Sequence, residues 1–305
     1  MARSSLIETY SSLTPLRRGL TAFPWWLKIG LKMLAVSLTP YSYEDIRARF
    51  TGFRGKMSDL RYAEQIFGHH LSRYKIWRKS APEGNYLELG PGGSLASGLL
   101  ARCAGFDSST LIDAKDCAIR DLSFYRQLAG ANGAPHSDEH FNFDEFMTRN
   151  SVTYLTEGLG SLKSLASGSI SFSSSQDVLE HIRRTEFEAT LHELFRVHRP
   201  GTVSSHRIDF KDHLAGSLNH LRFPGQIWEN RLFPSQGFYT NRLRYSQMKD
   251  SFMRTGFEIL DETLFRWDEA PLAASQLAPE FRGLSEDDLL IHQWDLVVRI
   301  PGSGK

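Results

Sequence analysis

Apolar and polar positions alternate along the chain in two periods from about residue 85 onward. Short apolar runs are typical of buried strands, and the longer amphipathic stretches between most of them are typical of helices. Strands that alternate with helices predict a mostly parallel sheet covered by helices on both faces. The strands are predicted near residues 85–89, 109–113, 152–155, 169–174, 202–206, 256–261 and 292–300.

The first 80 residues have a different pattern. Residues 23–38 are apolar but include two lysines one helical turn apart, and a membrane-spanning helix needs about 20 mostly apolar residues. The apolar stretch starts too late for a signal peptide, and no small-residue cleavage site follows it. Two interpretations stay open, a helix packed on the core or on a second subunit, and an interfacial membrane helix anchored by Trp25 and Trp26. With residues 41–80 also predicted helical, the segment is interpreted as a helical cap over the ligand cleft.

Composition narrows the function classes. The 305 residues are 41% hydrophobic and 23% charged, enough for one large core or one core with a small appendage. With 36 basic and 35 acidic residues the net charge is +1, and no basic stripe predicts a nucleic-acid surface. Two cysteines, Cys103 and Cys117, argue against a disulfide framework and make a cytoplasmic setting the default. Peripheral attachment to the inner membrane through residues 23–38 stays open.

The run Y-L-E-L-G-P-G-G-S-L-A-S-G-L-L at residues 86–100 is the strongest candidate for a ligand site. Its glycines allow a tight turn and let a ligand approach main-chain N–H groups. Glu88 can meet a cationic group such as an amine, which suits a nucleoside with a charged amino-acid tail. The dinucleotide fingerprint fails at Leu95, where a small residue is required, and a purely structural turn remains an alternative.

A second carboxylate follows the next predicted strand, at Asp113. In α/β nucleotide folds an acidic residue at this place holds the ribose diol, and ligands bind beyond the carboxyl ends of the strands. Residues that follow the predicted strands are therefore the candidates for ligand contact, namely 88–94, Asp113, 156–159, 174–181 and 206–213.

The order of these features resembles the class I S-adenosylmethionine-dependent methyltransferases. It comprises E-x-G-P-G after strand one, an acidic end to strand two, V-L-E-H at residues 178–181, and L-x-E-L-x-R-V-x-R-P-G at residues 191–201. The runs at residues 53–70, 204–214, 218–224 and 237–248 resemble methyltransferase-domain proteins of bacterial polysaccharide and secondary biosynthesis clusters. The resemblance covers about residues 83–300. It implies a Rossmann-like domain at residues 81–305 with a seven-stranded, mostly parallel sheet, an antiparallel edge made by the last two strands, and a helical N-terminal cap at residues 1–80.

The resemblance also implies S-adenosylmethionine as cofactor. Glu88, Gly90 and Gly92 would surround its methionine moiety, Asp113 would take the ribose hydroxyls, and residues 157–159 would lie near the adenine. The expected cofactor-binding residues are Glu88, Gly90, Pro91, Gly92, Gly93, Ser94, Asp113, Glu157, Gly158, Leu159, Ser174 and Gln176.

Methyl transfer to an alcohol requires alignment of the nucleophilic oxygen, the methyl carbon and the sulfur. It also requires a base that removes the hydroxyl proton near neutral pH, for which histidine is the usual choice. His206 and His181 follow predicted strands at the ligand edge, and Asp209 could orient His206. His181 could instead shape the cleft without proton transfer. The set His206, Asp209 and His213 has spacing that could hold a divalent metal, but no fourth ligand is evident and no metal is expected.

The insertion at about residues 207–244 mixes aromatic residues with polar donors, which can stack on a sugar face and bind its hydroxyls. An aromatic mini-core beneath a long loop is the alternative. The expected substrate contacts are His213, Arg222, Trp228, Tyr239, Asn241 and Arg242.

These observations favour O-methylation of a hydroxyl on a sugar-containing or other polar small-molecule or glycan acceptor. A catalytically silent S-adenosylmethionine-binding scaffold or partner subunit is the alternative, and a homodimer stays open. A nucleic-acid base methyltransferase is disfavoured, because residues 174–177 read S-S-Q-D in place of a [DNS]-P-P-[FYW] run.

Overall fold

The computed structural model describes residues 59–78, 81–133, 141–230 and 238–302, with five isolated residues before them (24, 26, 27, 30 and 57). The strands are β1 Asn85–Leu89, β2 Ser108–Ile112, β3 Val152–Leu155, β4 Ile170–Gln176, β5 His198–Asp209, β6 Glu258–Arg266 and β7 Ile291–Arg299. The α-helices are α1 Leu60–Trp77, α2 Ala96–Ala104, α3 Leu122–Asn132, α4 Phe143–Arg149, α5 Leu159–Ser164, α6 Arg184–Val197, α7 Gly225–Trp228, α8 Tyr245–Thr255 and α9 Glu286–Leu290.

The seven strands form one sheet in the order β3-β2-β1-β4-β5-β7-β6. Strands β1 to β5 are parallel, and β7 runs antiparallel to both of its neighbours, β5 and β6. The predicted mostly parallel sheet and its antiparallel edge are confirmed. Leu89 lies opposite Ile112 on one side and Ser175 on the other, so the turn after β1 emerges level with the ends of β2 and β4.

Helices cover the sheet on both faces because successive strand side chains point to opposite sides. On one face Tyr86 packs with Phe106 and Phe172 beneath α1, α2 and α3. On the other, Leu87 and Leu89 pack with apolar residues of α5, α6 and α8. The glycine turn therefore follows a strand that is buried on both faces of the sheet.

Helix α1 belongs to this core. Asp59 caps its first turn by accepting a hydrogen bond from the Tyr62 N–H at 3.0 Å. Near its other end Arg73 pairs with Asp261 of β6 at 2.9 Å and lies 3.7 Å from Asp295 of β7. The described part of the predicted cap is thus packed on the sheet.

The rest of that cap, including nearly all of the helix predicted at residues 23–38, lies outside the described residues. Trp25 is among the residues not described, and Trp26 is largely exposed. Within the part of the chain that the structure describes, no helix is long and apolar enough to cross a membrane. Both cysteines, Cys103 and Cys117, are free thiols.

Strand β5 is longer than predicted at both ends. Residues 198–201, which precede the predicted strand, form an irregular start of β5 in which Gly201 adopts φ +79° and donates to the Ile300 carbonyl at 2.7 Å. At the other end pairing with β7 extends β5 to Asp209. His206 consequently lies inside the strand.

Candidate functional site

The glycine turn (residues 90–94) joins β1 to α2, and its first two glycines have different structural reasons. Gly90 has φ +70°, and a Cβ there would overlap the Val178 side chain, so packing alone demands glycine. Gly92 has φ +64°, but nothing lies within 4 Å of the place where its Cβ would be. The turn therefore leaves open space at Gly92, where a ligand can approach the backbone.

Asp113 links the turn to the neighbouring strands. Its carboxylate accepts hydrogen bonds from the N–H groups of Gly92 at 3.0 Å and Ala114 at 2.7 Å, and its carbonyl accepts one from Gly158 at 2.9 Å. Burial raises the pKa of this half-buried carboxyl group. The structure thus brings together the residues predicted to meet the methionine, ribose and adenine moieties.

Glu88 lies beneath the turn with only 4% of its surface exposed. The Ser97 hydroxyl donates a hydrogen bond to it, and no ion pair to it is formed within the described residues. Loss of hydration raises the pKa of Glu88 from 4.5 to about 7, and the nearby Asp113 charge adds to the rise. A cationic group that reached Glu88 would favour its charged form.

Three further predicted cofactor residues form the body of the turn. Pro91, Gly93 and Ser94 are buried. The Gly93 carbonyl accepts a hydrogen bond from the Ile119 N–H at 2.9 Å, and the Ser94 hydroxyl donates to the Met57 carbonyl at 2.5 Å. These contacts hold the turn between α3 and the start of α1.

The other predicted cofactor residues are divided between cleft and core. Glu157 is exposed and Leu159 half-buried at the start of α5. Ser174 is buried, and its hydroxyl lies 2.6 Å from the Tyr86 hydroxyl, so its side chain belongs to the core and the prediction of a side-chain contact with cofactor is corrected. Gln176 ends β4, and its Oε1 atom is buried without a partner.

His206 does not reach the cleft. It is fully buried, with Nδ1 2.7 Å from the Ser175 hydroxyl and Nε2 2.6 Å from the Ser204 hydroxyl. Burial lowers its pKa to about 3. A buried imidazole with both nitrogens occupied cannot take a proton from an acceptor, so the prediction of His206 as base is corrected. His206, Asp209 and His213, whose spacing could hold a divalent metal, are not assembled as a ligand group within the described residues.

His181 and His213 do lie together at the ligand edge, and both are exposed. Their rings stack with centroids 4.8 Å apart, and their Nε2 atoms are 3.0 Å apart. His181 Nδ1 is 2.8 Å from the Tyr239 carbonyl, which can only accept. The proton of a neutral His181 is therefore on Nδ1, and its Nε2 can accept a hydrogen bond from the His213 Nε2–H.

A group of carboxylates at the ends of β4 and β5 falls within the predicted ligand-contact ranges 174–181 and 206–213, but the sequence did not mark it as a group. We call Asp177, Glu180 and Asp209 the acidic edge. Asp177 adopts φ +54° and donates its N–H to the Arg207 carbonyl at 2.9 Å. Burial raises its pKa to about 6, and the charge of Asp209, predicted only as an orienting partner for His206, adds to the rise. The V-L-E-H run contained Glu180, but nothing local in the sequence marks it as buried.

The segment between β5 and α8 has its own small core. Trp228 is fully buried, packs with Leu214, Phe238 and Tyr239, and donates its indole N–H to the Thr240 carbonyl at 2.7 Å. The mini-core alternative is therefore the correct one, and the prediction of Trp228 and Tyr239 as acceptor contacts is corrected.

Polar residues of the same segment are also occupied internally. Asn241 is fully buried and donates to the carbonyls of Leu179 at 2.8 Å and Ile182 at 3.0 Å. Arg242 is buried and donates to the Phe223 carbonyl at 2.5 Å. These two predicted contacts are corrected as well, because Asn241 fixes the segment to the turn after β4 and Arg242 bonds within the segment.

Arg222 donates to Asn219 at 3.1 Å and is half-buried. Together with the exposed His213, it is one of the two predicted substrate residues whose side chains are not buried. Acceptor contact by these two residues stays a prediction.

No protein-family model and no curated protein matches the sequence. The chain is similar to the structure of a Haloferax volcanii complex between the Trm112 methyltransferase activator and a methyltransferase, with 13% identity, 86% of this chain and 100% of that chain covered, and a TM-score of 0.45. It is similar to an S-adenosylmethionine-dependent methyltransferase from Methanosarcina mazei, with 14% identity, coverages of 76% and 97%, and a TM-score of 0.45.

It is also similar to phosphoethanolamine N-methyltransferase 2 of Haemonchus contortus in complex with S-adenosyl-L-methionine, with 13% identity, coverages of 86% and 60%, and a TM-score of 0.45. Identity is low in all three, and the fold assignment rests on the strand order and register of this chain. By that topology the protein has the Rossmann-like fold of class I methyltransferases.

Proposed function

We propose that the protein is an S-adenosylmethionine-dependent methyltransferase acting on a hydroxyl of a polar small-molecule or glycan acceptor. One observation carries the proposal: the Asp113 carboxylate accepts a hydrogen bond from the Gly92 N–H at 3.0 Å, in the turn that follows the strand of the buried Glu88. A carboxylate at the end of β2 beside an open glycine turn is the arrangement that binds a ribose in α/β folds.

The residues present fit this cofactor. The space at Gly92 is open, Asp113 is half-exposed, and Glu88 is a buried carboxyl group without an ion pair within the described residues. Asp113 would hold the ribose hydroxyls, and Glu88 would face the amino group of the methionine tail. When bound, S-adenosylmethionine supplies a methyl group activated by a positively charged sulfur.

The chain's own residues then position the acceptor and move its proton. His181 and His213, stacked at the ligand edge with Nε2 atoms 3.0 Å apart, form the exposed imidazole pair that supports proton removal from a hydroxyl. Asp177 and Asp209 lie at the same edge of the sheet, after β4 and at the end of β5. Helix α1 on one side and the segment carrying His213 on the other would limit access of water.

A silent scaffold that binds S-adenosylmethionine without turnover is the second candidate. It is favoured by one observation, the burial of His206, which removes the best-placed base predicted from the sequence. Release of S-adenosylhomocysteine in an acceptor screen led by glycosides separates the two candidates.

The first experiment is titration calorimetry with S-adenosylhomocysteine, with NAD as the comparison ligand. We expect micromolar affinity for the first ligand and none for the second. Asp113→Ala should weaken binding about tenfold or more, since hydrogen bonds to charged groups contribute about 1.5–3 kcal/mol. The matched control is Asp116→Ala, which removes an exposed carboxylate paired with Arg120. Equal affinity of the wild type and Asp113→Ala would refute the ribose assignment.

A further inference from the structure

The acidic edge (Asp177, Glu180 and Asp209) lies beside the proposed cofactor site. Glu180 Oε1 accepts a hydrogen bond from the Asp209 N–H at 3.3 Å. Burial raises the pKa of Glu180, and the charges of both Asp177 and Asp209 add to the rise, so the three groups are close enough to repel one another. The turn after β4 and the end of β5 thus concentrate negative charge at one place.

The neighbouring cations are already engaged. Arg207 donates to both carboxylate oxygens of Asp295, at 2.5 and 2.6 Å. Lys211 lies 3.4 Å from Asp209. Across the described residues, Asp177 and Glu180 have no ion pair of their own. Two of the three carboxylates therefore have no ion pair within the part of the chain that the structure describes, and the more distant charges of Arg207 and Lys211 lower the pKa of Asp177.

Two acceptor atoms at this edge also lack hydrogen-bond donors. Glu180 is only 2% exposed, and its Oε2 has no partner. The buried Oε1 of Gln176, four residues earlier, has none either. Buried acceptors are almost always satisfied in folded proteins, so the unpartnered oxygen of the buried Glu180 indicates a missing donor.

The chemistry of that donor is restricted. Within the described residues no three His, Cys, Asp or Glu side chains are arranged to hold a metal ion. A protonated primary amine supplies one positive charge and three N–H donors, which matches two carboxylates and one amide oxygen.

We propose that the acceptor carries a protonated primary amine, which binds at the acidic edge to Asp177, Glu180 and Gln176. This inference rests on the proposed function, in which the cofactor's own amine is assigned to Glu88. A protonated amine has no lone pair, so it anchors the acceptor while a different atom of the acceptor receives the methyl group.

The test uses ethanolamine and ethylene glycol, which differ in one amine. Saturation-transfer NMR titrations are run on the full-length protein, with and without saturating S-adenosylhomocysteine, which fills the site of the cofactor's amine. We expect ethanolamine to bind at least tenfold more tightly than ethylene glycol. Glu180→Gln and Asp177→Asn should each weaken ethanolamine binding about tenfold or more. Asparagine tolerates the left-handed backbone at position 177. Glu83→Gln, which alters an exposed carboxylate at the start of β1, should leave binding unchanged.

Equal binding of the two probes by the wild type would overturn the inference. So would ethanolamine binding that both Glu180→Gln and Asp177→Asn retain, with thermal unfolding confirming that the variants are folded. Binding of magnesium chloride at the same carboxylates in place of ethanolamine would overturn it too. Calorimetry with S-adenosylhomocysteine on the same samples separates the two proposals, because failure there refutes the cofactor assignment while the ethanolamine titration still decides the amine site.

Discussion

Glu88→Gln tests the electrostatics of the candidate site through folding stability. In the folded protein the pKa of Glu88 is raised from 4.5 to about 7. A raised carboxyl pKa stabilises the fold only in its protonated form, so this contribution is present below pH 4.5 and is lost as the pH rises through about 7. The difference of about 2.5 pH units corresponds to about 3 kcal/mol in the free energy of unfolding.

Glutamine keeps the shape and can still accept the Ser97 hydrogen bond, but it carries no charge. We expect Glu88→Gln to be more stable than the wild type by up to about 3 kcal/mol at pH 8, and by much less at pH 5. Urea unfolding followed by tryptophan fluorescence at both pH values measures this difference. The control Glu83→Gln, at an exposed carboxylate, should change stability by less than about 0.5 kcal/mol at either pH.

A Glu88→Gln variant that is no more stable than the wild type at pH 8 would show that Glu88 is already compensated by a cation. The same substitution should weaken S-adenosylhomocysteine binding at pH 8 about tenfold, because the ligand's amine loses its carboxylate. A variant that is stabilised yet binds the ligand normally would separate Glu88 from the methionine tail.

Further predictions concern packing. Gly90→Ala should lower the free energy of unfolding by about 2–3 kcal/mol, because its Cβ overlaps Val178 and its backbone is left-handed. Gly92→Ala should lower it by about 1–2 kcal/mol from backbone strain alone. Equal losses of the two variants in urea unfolding would contradict this reasoning. His206→Ala should lower stability by about 2–4 kcal/mol by leaving Ser175 and Ser204 without their buried partner, while calorimetry should find S-adenosylhomocysteine affinity within twofold of the wild type. Loss of cofactor binding by a folded His206→Ala protein would instead place His206 in the cleft.

Much of the fold could be predicted from local pattern. The strands at residues 85–89 and 152–155 coincide with β1 and β3, since short apolar runs bounded by turn residues have one dominant structural solution. The proximity of Gly92 and Asp113 follows from topology, because carboxyl ends of parallel strands meet at one edge of the sheet.

The wrong predictions concern features that are set by contacts between residues far apart in the sequence. The end of β5 is set by pairing of Asp209 with Gln293, 84 positions later in the chain, so the local sequence could not show that His206 lies inside a strand. The role of Trp228 depends on burial against Leu214 and Phe238, which a loop-like composition does not reveal. The burial of Glu180, which lies in the predicted contact range 174–181, could not be seen for the same reason, since it is a property of the folded surroundings.

The position of β7 has a consequence for the order in which the protein is assembled. Although β7 follows β6 in the chain, it lies between β5 and β6 in the sheet. During synthesis, β5 therefore keeps an unpaired edge until β7 has left the ribosome, and an unpaired edge is a template for aggregation. Arg73 on the early helix α1 likewise waits for Asp261 and Asp295 of these two late strands. The contacts that complete the sheet join residues far apart in the sequence, so completion of the sheet is expected to be the slow, chaperone-sensitive stage of folding.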